Sequence, residues 1–248
     1  MSSNQSVDRA LTVLWILNGL QQATVTEIAE ELGVHKSTAS RLLTVLEQHR
    51  LVVRQPGSMA YELGDGILQL AGTVRSQNDL TRSAQLLVER VAEHFTLTAN
   101  VAIRDEIFAV NIAQSAPSEK FFTPRQYVGR RTPGHATSSG KVLLAFADRS
   151  AQDQVLNAKL ETFTEHTITD PACLADELAL TKERGWAVSN NEWDADMTAV
   201  AVPLLGLSGT VMAAVSITGF THDLPPETFK ARAEELETLV QRHGRLLE

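Results

Sequence analysis

Residues 133–146 read PGHATSSGKVLLAF, a run that brings glycines, hydroxyls and one amine close together. Two chemistries use such residues. A phosphate-binding loop takes Gly, four residues, then Gly-Lys and Ser or Thr, because loop length sets the curvature of the amide cradle and the hydroxyl ligates magnesium. Here five residues separate Gly134 from Gly140, and Val142 follows Lys141. The alternative is a serine acyl-enzyme built on Ser138-x-x-Lys141, which needs further Ser and Lys elements converging on the nucleophile. The chain contains neither a Ser-Asp-Asn nor a Lys-Thr-Gly triplet. His135 is the nearest candidate base, and at a loop-to-helix junction it reads as a hydrogen-bonded structural residue. No catalytic set is expected, and the chain reads as a non-enzyme.

What the run does offer is a helix start. Thr137 or Ser138 at that position presents unpaired amides, hydroxyls and the positive end of a helix dipole, suited to an anion or to nothing beyond an ordinary cap. A second stretch bears on the choice. In TVMAAVSIT, strand alternation puts Met212, Ala214, Ser216 and Thr218 on one face and Val211, Ala213, Val215 and Ile217 on the other. Ser216 and Thr218 face either solvent or a small polar ligand. Lys141 reads as a general cation beside the helix-start wall.

The bulk properties fit a soluble globular chain. It has 248 residues, enough for two modest domains, with 43% hydrophobic and 21% charged residues. No tract is long enough to span a bilayer, and the first residues, MSSNQSVDR, lack an apolar export core, so the cytoplasm and no membrane partner are expected. A lone Cys173 has no partner at metal-ligand spacing and is expected to be buried and inert. No metal and no cofactor are expected. A formal charge of −8 argues against indiscriminate coating of nucleic acid, yet leaves room for a local basic face.

Such a face lies in the first seventy residues. Val7, Ala10, Leu11, Leu14 and Trp15 recur at helical spacing and predict a helix over 6–20 with these residues inward. Thr24-x-x-Glu27 is a capping box opening a second helix, which Gly33 ends. A third helix over 36–49 buries Ala39, Leu42, Leu43 and Leu46. It turns Ser37, Ser40, Arg41 and Thr44 outward beside Lys36 and Thr38. Small hydroxyls admit close approach to a DNA backbone, and Arg can bond a guanine edge or a phosphate. Two β-rich runs, 51–54 and 60–63, flank Pro56-Gly57-Ser58 and predict a hairpin. Three helices and a hairpin make a winged helix-turn-helix, in which Lys36, Arg41, Arg50 and Arg54 collect on the third helix and wing. A protein-docking module of the same shape remains the other reading.

Residues 65–95 read as mostly helical, with a bend at Gly72 or at 76–79. The passage serves as a domain link, a dimer seam, or a cover for the following sheet. After it, hairpin-like strands over 98–104 and 107–113, a loop over 128–134, and helices over 138–147, 172–184 and 226–247 are predicted. Strands over 186–189, 199–204 and 210–218 complete an α+β domain. The expected organisation is a DNA-binding domain at 1–64, a linker helix at 65–79 and a second domain at 80–248.

In this order the elements resemble the IclR family of bacterial transcriptional regulators over essentially the whole chain. The segments that carry the resemblance are SVDRALTVLWIL, TEIAEELGVHKSTASRLLTVLEQHRLV, YELGDGILQLAG, GHATSSGKVLLAF, ELALTKERGWAVSNNE and AVAVPLLGLSGTVMAAVSITG. The resemblance implies an N-terminal winged helix-turn-helix domain joined by a linker helix to a C-terminal GAF-like α/β effector domain. It further implies a homodimer or dimer of dimers, a double-stranded DNA operator, and a small organic-acid effector, carboxylic or aromatic. Family DNA contacts carry onto Lys36, Ser37, Thr38 and Arg41, to which the exposed face adds Ser40 and the wing Arg54. Family effector contacts carry onto Ser138, Ser139, Ser189, Asn190, Glu192, Ala199, Ser216 and Thr218. Ala199 and Ser189 stand where some members place Cys and Asp. The frequent Glu-then-Gly pattern here reads Glu192-Trp193-Asp194-Ala195-Asp196. An enzyme with an accessory helix-turn-helix is the alternative from another class.

Overall fold

A computed structural model of the chain describes residues 5–55, 57–77, 79–117, 127–206 and 208–243. It divides into two compact units, Met1–Asn78 and Asp79–Glu248.

The first unit runs α1 (Gln5–Leu20), β1 (Ala23–Thr24), α2 (Val25–Glu31), α3 (Lys36–Gln48), β2 (Val52–Arg54), β3 (Ala60–Leu63) and α4 (Asp65–Gln77). Its three strands are antiparallel in the order β1-β3-β2. The capping box forms as the spacing requires: the Thr24 amide donates to Glu27 Oε2 at 2.7 Å, and the Glu27 amide donates to Thr24 Oγ1 at 3.4 Å. The Thr24 amide and hydroxyl, both donating to the Glu27 carboxylate, hold it below its usual range. Gly33 takes φ +61°, so the chain can turn sharply between α2 and α3. The core joins Val13 and Leu17 to Ile28, Ala29, Ala39 and Leu43.

That core corrects the predicted face of α1. Val7, Leu11 and Trp15 are exposed, Trp15 at 63%, while Val13 and Leu17 are buried and Ala10 and Leu14 only partly so. The helix carries two apolar stripes, and tertiary packing selected the one that periodicity did not rank first. Of the two predicted bend positions, Gly72 lies inside α4, whereas the helix ends at Gln77, within the other, 76–79.

The second unit is α5 (Asp79–Phe95), β4 (Thr98–Asp105), β5 (Phe108–Ser115), β6 (Arg131–Pro133), α6 (Ser138–Ala145), α7 (Arg149–Leu156), α8 (Pro171–Arg184), β7 (Ala187–Asn190), β8 (Met197–Leu205), β9 (Val211–Phe220), a 3-10 turn at Pro226–Thr228, and α9 (Phe229–His243). All six strands pair antiparallel in the order β6-β5-β4-β9-β8-β7. One face of the sheet, with Val101, Val200, Val202, Val215 and Ile217, packs on Leu87, Val91 and Phe95 of α5 and Leu236 and Val240 of α9. The other face is built from small residues, Ala102, Ala109, Ala187, Ala201 and Ala214, against Val142 and Leu143 of α6. Leu174 and Leu178 of α8 close over Leu144 and Ala145 on the outer side of α6. α6 is therefore buried at every position, as its apolar and small residues all round allow.

Neither α7, capped by Asp148, nor the short β6 is among the predicted elements. Alternation along β9 holds from Ala213 to Thr218. Below that, a register shift at the Leu204/Leu205 pairing leaves Met212 as the extra residue, so Val211 joins the α6 face instead of the Val215 face. Cys173 is exposed rather than buried, in the first turn of α8. The neighbouring Asp170 carboxylate holds its thiol above the usual range, which keeps it protonated. The last four residues of the predicted closing helix lie outside the described residues.

Candidate functional site

Two surfaces carry polar groups in arrangements that packing alone does not require. On the first unit, α3 buries Ala39, Leu43 and Leu46. Its other side presents Lys36, Ser37, Ser40 and Arg41 to solvent, with Thr38 half-buried. Thr44 shares that side, but its hydroxyl donates back to Ser40 O at 2.9 Å. Arg54 is exposed on β2 of the wing. Arg50, grouped with these cations by sequence, is instead ion-paired with Asp65 at the start of α4, with φ +60°. The exposed set is thus a hydroxyl and guanidinium stripe of one helix plus one wing cation.

On the second unit, a cleft with about 590 Å³ of empty space, open solvent included, lies where the sheet meets the N-terminus of α6. One wall is that terminus. Thr137 caps it, its hydroxyl receiving the Gly140 amide at 3.3 Å and donating to Pro133 O at 2.9 Å. The first main-chain bond of the helix is Lys141 N to Thr137 O, so the Ser138 and Ser139 amides precede the helical ladder. The floor is the polar end of the small-residue face. Cross-strand registry lines up Asn100, Ser216 and Ala201 in one row and Thr98, Thr218 and Ala199 in the next. Tyr127 and Trp193, with ring centroids 5.3 Å apart, supply an aromatic wall, and exposed Asp194 stands beside them.

Six of the residues assigned to an effector by resemblance line this cleft: Ser138, Ser139, Ser189, Ala199, Ser216 and Thr218. Ser189 also donates its hydroxyl to Ala136 O at 2.7 Å, tying β7 to the loop before α6. Asn190 and Glu192 are not in the lining. The Asn190 side chain accepts from Thr198 Oγ1 at 3.2 Å. Glu192 is buried beneath the cleft, its Oε1 2.6 Å from Lys141 Nζ.

Lys141 is the largest departure from the sequence reading. Its side chain is 1% exposed and belongs to the core rather than to the cleft wall. Nζ donates to Val188 O at 2.9 Å as well as to Glu192, and lies 4.0 Å from Glu177, which pairs with Arg184 at 2.8 Å. Burial pushes the Glu192 carboxyl above its usual range; the adjacent Lys141 ammonium acts against that push without cancelling it. The amine is thereby committed to Glu192 and Val188, not poised to activate Ser138. His135 is also buried, with Nε2 3.0 Å from Glu161 O, and burial lowers its pKa.

Asn100, Asn111, Thr132, Tyr127, Met197 and Thr198 also line the cleft and were not assigned to it by sequence. Asn100 had a signal: it is the one amide among the small and apolar residues of TANVAI. Among the described residues no group of three or more His, Cys, Asp or Glu side chains is placed to hold a metal ion, and no helix is long and apolar enough to cross a membrane.

A winged helix-turn-helix with an exposed hydroxyl-arginine face, in one chain with a unit that carries a cleft lined by polar side chains, defines a DNA-binding transcription regulator. Comparison narrows the class. Residues 6–56 match the IclR helix-turn-helix domain and residues 72–243 the C-terminal domain of the bacterial transcriptional regulator IclR. The HTH-type transcriptional regulator XynR of Escherichia coli is 32% identical over 94% of this chain and 93% of its own length. An IclR-type regulator structure from Alicyclobacillus acidocaldarius superposes with a TM-score of 0.85 at 29% identity, covering 99% of this chain and 100% of that one. An IclR homologue from Microbacterium hydrocarbonoxydans, solved in complex with 4-hydroxybenzoate, shares the fold at a TM-score of 0.80 and 24% identity, covering 98% of each chain. The chain belongs to the IclR family of bacterial transcriptional regulators.

Proposed function

We propose that the chain is a cytoplasmic, homo-oligomeric, ligand-responsive regulator whose cleft takes a small organic acid and whose operator affinity changes with cleft occupancy. It binds its effector without transforming it. The carrying observation is the N-terminus of α6, where Ser138 and Ser139 are buried in the wall of a cleft floored by Ser216 and Thr218. Amides that precede the helical ladder, at the positive end of the dipole, favour a carboxylate. The Tyr127–Trp193 wall favours an apolar or aromatic body for that acid. The 4-hydroxybenzoate bound by the Microbacterium homologue has this make-up.

On the DNA side, Lys36, Ser37, Thr38, Ser40 and Arg41 enter the major groove of a double-stranded operator and Arg54 meets the flanking backbone. In a dimer, two such helices read half-sites related by a two-fold axis. Effector and operator are then linked, and linkage is reciprocal: any factor by which the acid changes operator affinity is the factor by which the operator changes acid affinity. The test is a panel of small carboxylates, 4-hydroxybenzoate included, titrated into the full chain with and without operator fragments recovered by footprinting upstream DNA. A cleft acid should raise the melting temperature and shift both affinities equally. An acid that binds tightly and leaves operator affinity unchanged refutes the regulatory reading.

A further inference from the structure

The floor of the cleft contains a polar atom that the protein itself leaves without a partner. Asn100 lies on β4, on the face turned to α6, directly opposite Ser216 of β9. It is 6% exposed and lines the cleft, and its Oδ1 receives no hydrogen bond. An amide oxygen removed from water without a donor carries a desolvation cost that folding does not recover. The next residue on this face of β4 is Ala102, packed against α6, and an apolar residue at position 100 would avoid that cost. A buried polar atom left unmatched calls for a physical explanation, and one in the floor of a cleft has room for a donor that is not part of the chain.

We propose that Asn100 is a specificity-determining residue of the cleft, its carboxamide oxygen accepting a hydrogen bond from a hydroxyl carried by the effector. The proposal rests on the cleft being the effector site. Together with a carboxylate at the N-terminus of α6, it makes the effector a hydroxy acid rather than a plain one. The discrimination has a physical basis beyond the bond gained: Oδ1 is shut off from water in the free protein, so a hydroxyl donor recovers a cost that an analogue without one leaves in place. A site built this way rejects the deoxy analogue more strongly than an apolar pocket rejects a missing methyl group.

Two series of probes test it on the full chain by calorimetric titration: 4-hydroxybenzoate, benzoate and 4-methoxybenzoate, and glycolate, acetate and methoxyacetate. The methoxy acids keep an acceptor at the hydroxyl position and lose the donor. Wild type should bind the hydroxy acid of at least one series roughly tenfold to hundredfold more tightly than both analogues. Asn100→Ala and the near-isosteric Asn100→Leu should bind all members of that series equally, with benzoate or acetate held about as tightly as by wild type. Both variants should melt at or above wild type without ligand, since they delete an unmatched buried amide. Three results overturn the proposal: a hydroxyl preference that survives in the variants, a methoxy acid that binds like the hydroxy acid, or variants that melt below wild type. Thr218→Phe, which fills the cleft beside Ser216, separates the two levels. Binding that persists in it refutes the cleft as the effector site, and binding by none of the six acids overturns the proposal and that reading together.

Discussion

Replacing Lys141 by Met tests the reading of this residue as a buried structural cation. The side chains of Lys141 and Glu192 are 1% and 9% exposed, and their charges lie 2.6 Å apart, so solvent does little to screen them. At an effective dielectric of about 20, that separation corresponds to about 6 kcal/mol of attraction, most of it set against the desolvation of both ions. Met fills the space but strands Glu192, which then keeps its desolvation penalty alone. Val188 O also loses its donor. Removing one partner of such a pair costs about 3–5 kcal/mol, which in a unit of this size lowers the melting temperature by roughly 6–20 °C. Glu192 supplies a pH signature. Its folded pKa already lies above the unfolded value of about 4.3. The stability that this group contributes is therefore fully present below the unfolded value and lost as pH rises through the folded one. Without Lys141 the folded value climbs further, so the deficit of Lys141→Met should be small near pH 5 and grow toward pH 8. Urea denaturation followed by Trp186 and Trp193 fluorescence, in a Trp15→Phe background, reports the second unit. Adding Glu192→Leu should restore stability to within about 2 kcal/mol of wild type, since a well-packed apolar pair replaces a buried ion pair at little cost. A single variant that loses under about 1 kcal/mol, or a deficit flat with pH, would refute the argument.

Gly140→Ala should destabilise the second unit by roughly 1–3 kcal/mol or more, because its Cβ would overlap the backbone of Gly134. Gly19→Ala, a helix position with open space around it, should instead be neutral or stabilising by up to about 1 kcal/mol; equal melting temperatures for the two variants would contradict the packing argument. Arg41→Ala should weaken operator binding by about 1–3 kcal/mol with loss of preference at one base pair if it reads a base edge. A phosphate contact would show as a shallower salt dependence with preference intact, and unchanged binding would remove Arg41 from the interface. Ser216→Ala should weaken the response to an acid that binds the cleft while leaving ligand-free operator affinity unchanged, measured by fluorescence anisotropy. Equal loss of both would make Ser216 structural.

Much of the first unit was legible because its signals are local. The capping box at Thr24 and Glu27, the turn at Gly33 and the outward stripe of α3 each lie within one or two helical turns. What failed there depends on distant partners. The first helix has two apolar stripes, and only the positions of Ile28 and Leu43 decide that Val13 and Leu17 go inward while Trp15 stays out. Arg50 likewise looked available until Asp65, fifteen residues on, claimed it. In the second unit the faces of β9 followed from alternation, except where one bulge residue shifted Val211 across the sheet. The cleft was half legible. Ser138, Ser216 and Thr218 show themselves by helix capping and strand period and Asn100 as the one amide in TANVAI, whereas Asn111 and Thr132 join them only through strand pairing that no local pattern states.

Lys141 shows why the run PGHATSSGKVLLAF resembles catalytic loops without acting as one. Its glycines answer a packing demand. A Cβ at Gly140 would strike Gly134, and one at Gly134 would strike Ile107 O, so the turn and helix can approach each other and the sheet only without side chains there. Its hydroxyls answer a main-chain demand, since Thr137 must satisfy an amide that no earlier turn can reach. Its lysine answers an electrostatic one: α6 is buried on all sides, and the carboxylate of Glu192, arriving from the loop after β7, needs a cation within the core. Phosphate-binding loops combine the same residue types because they too bring backbone close to backbone and leave amides free at a helix start. The distinction lies in where the amine points. In a catalytic or phosphate-binding loop it must reach the ligand; here it turns away from the cleft, toward Val188 O and Glu192. The cleft wall is left to the Ser138 and Ser139 amides and hydroxyls, groups suited to holding an anion rather than to attacking one.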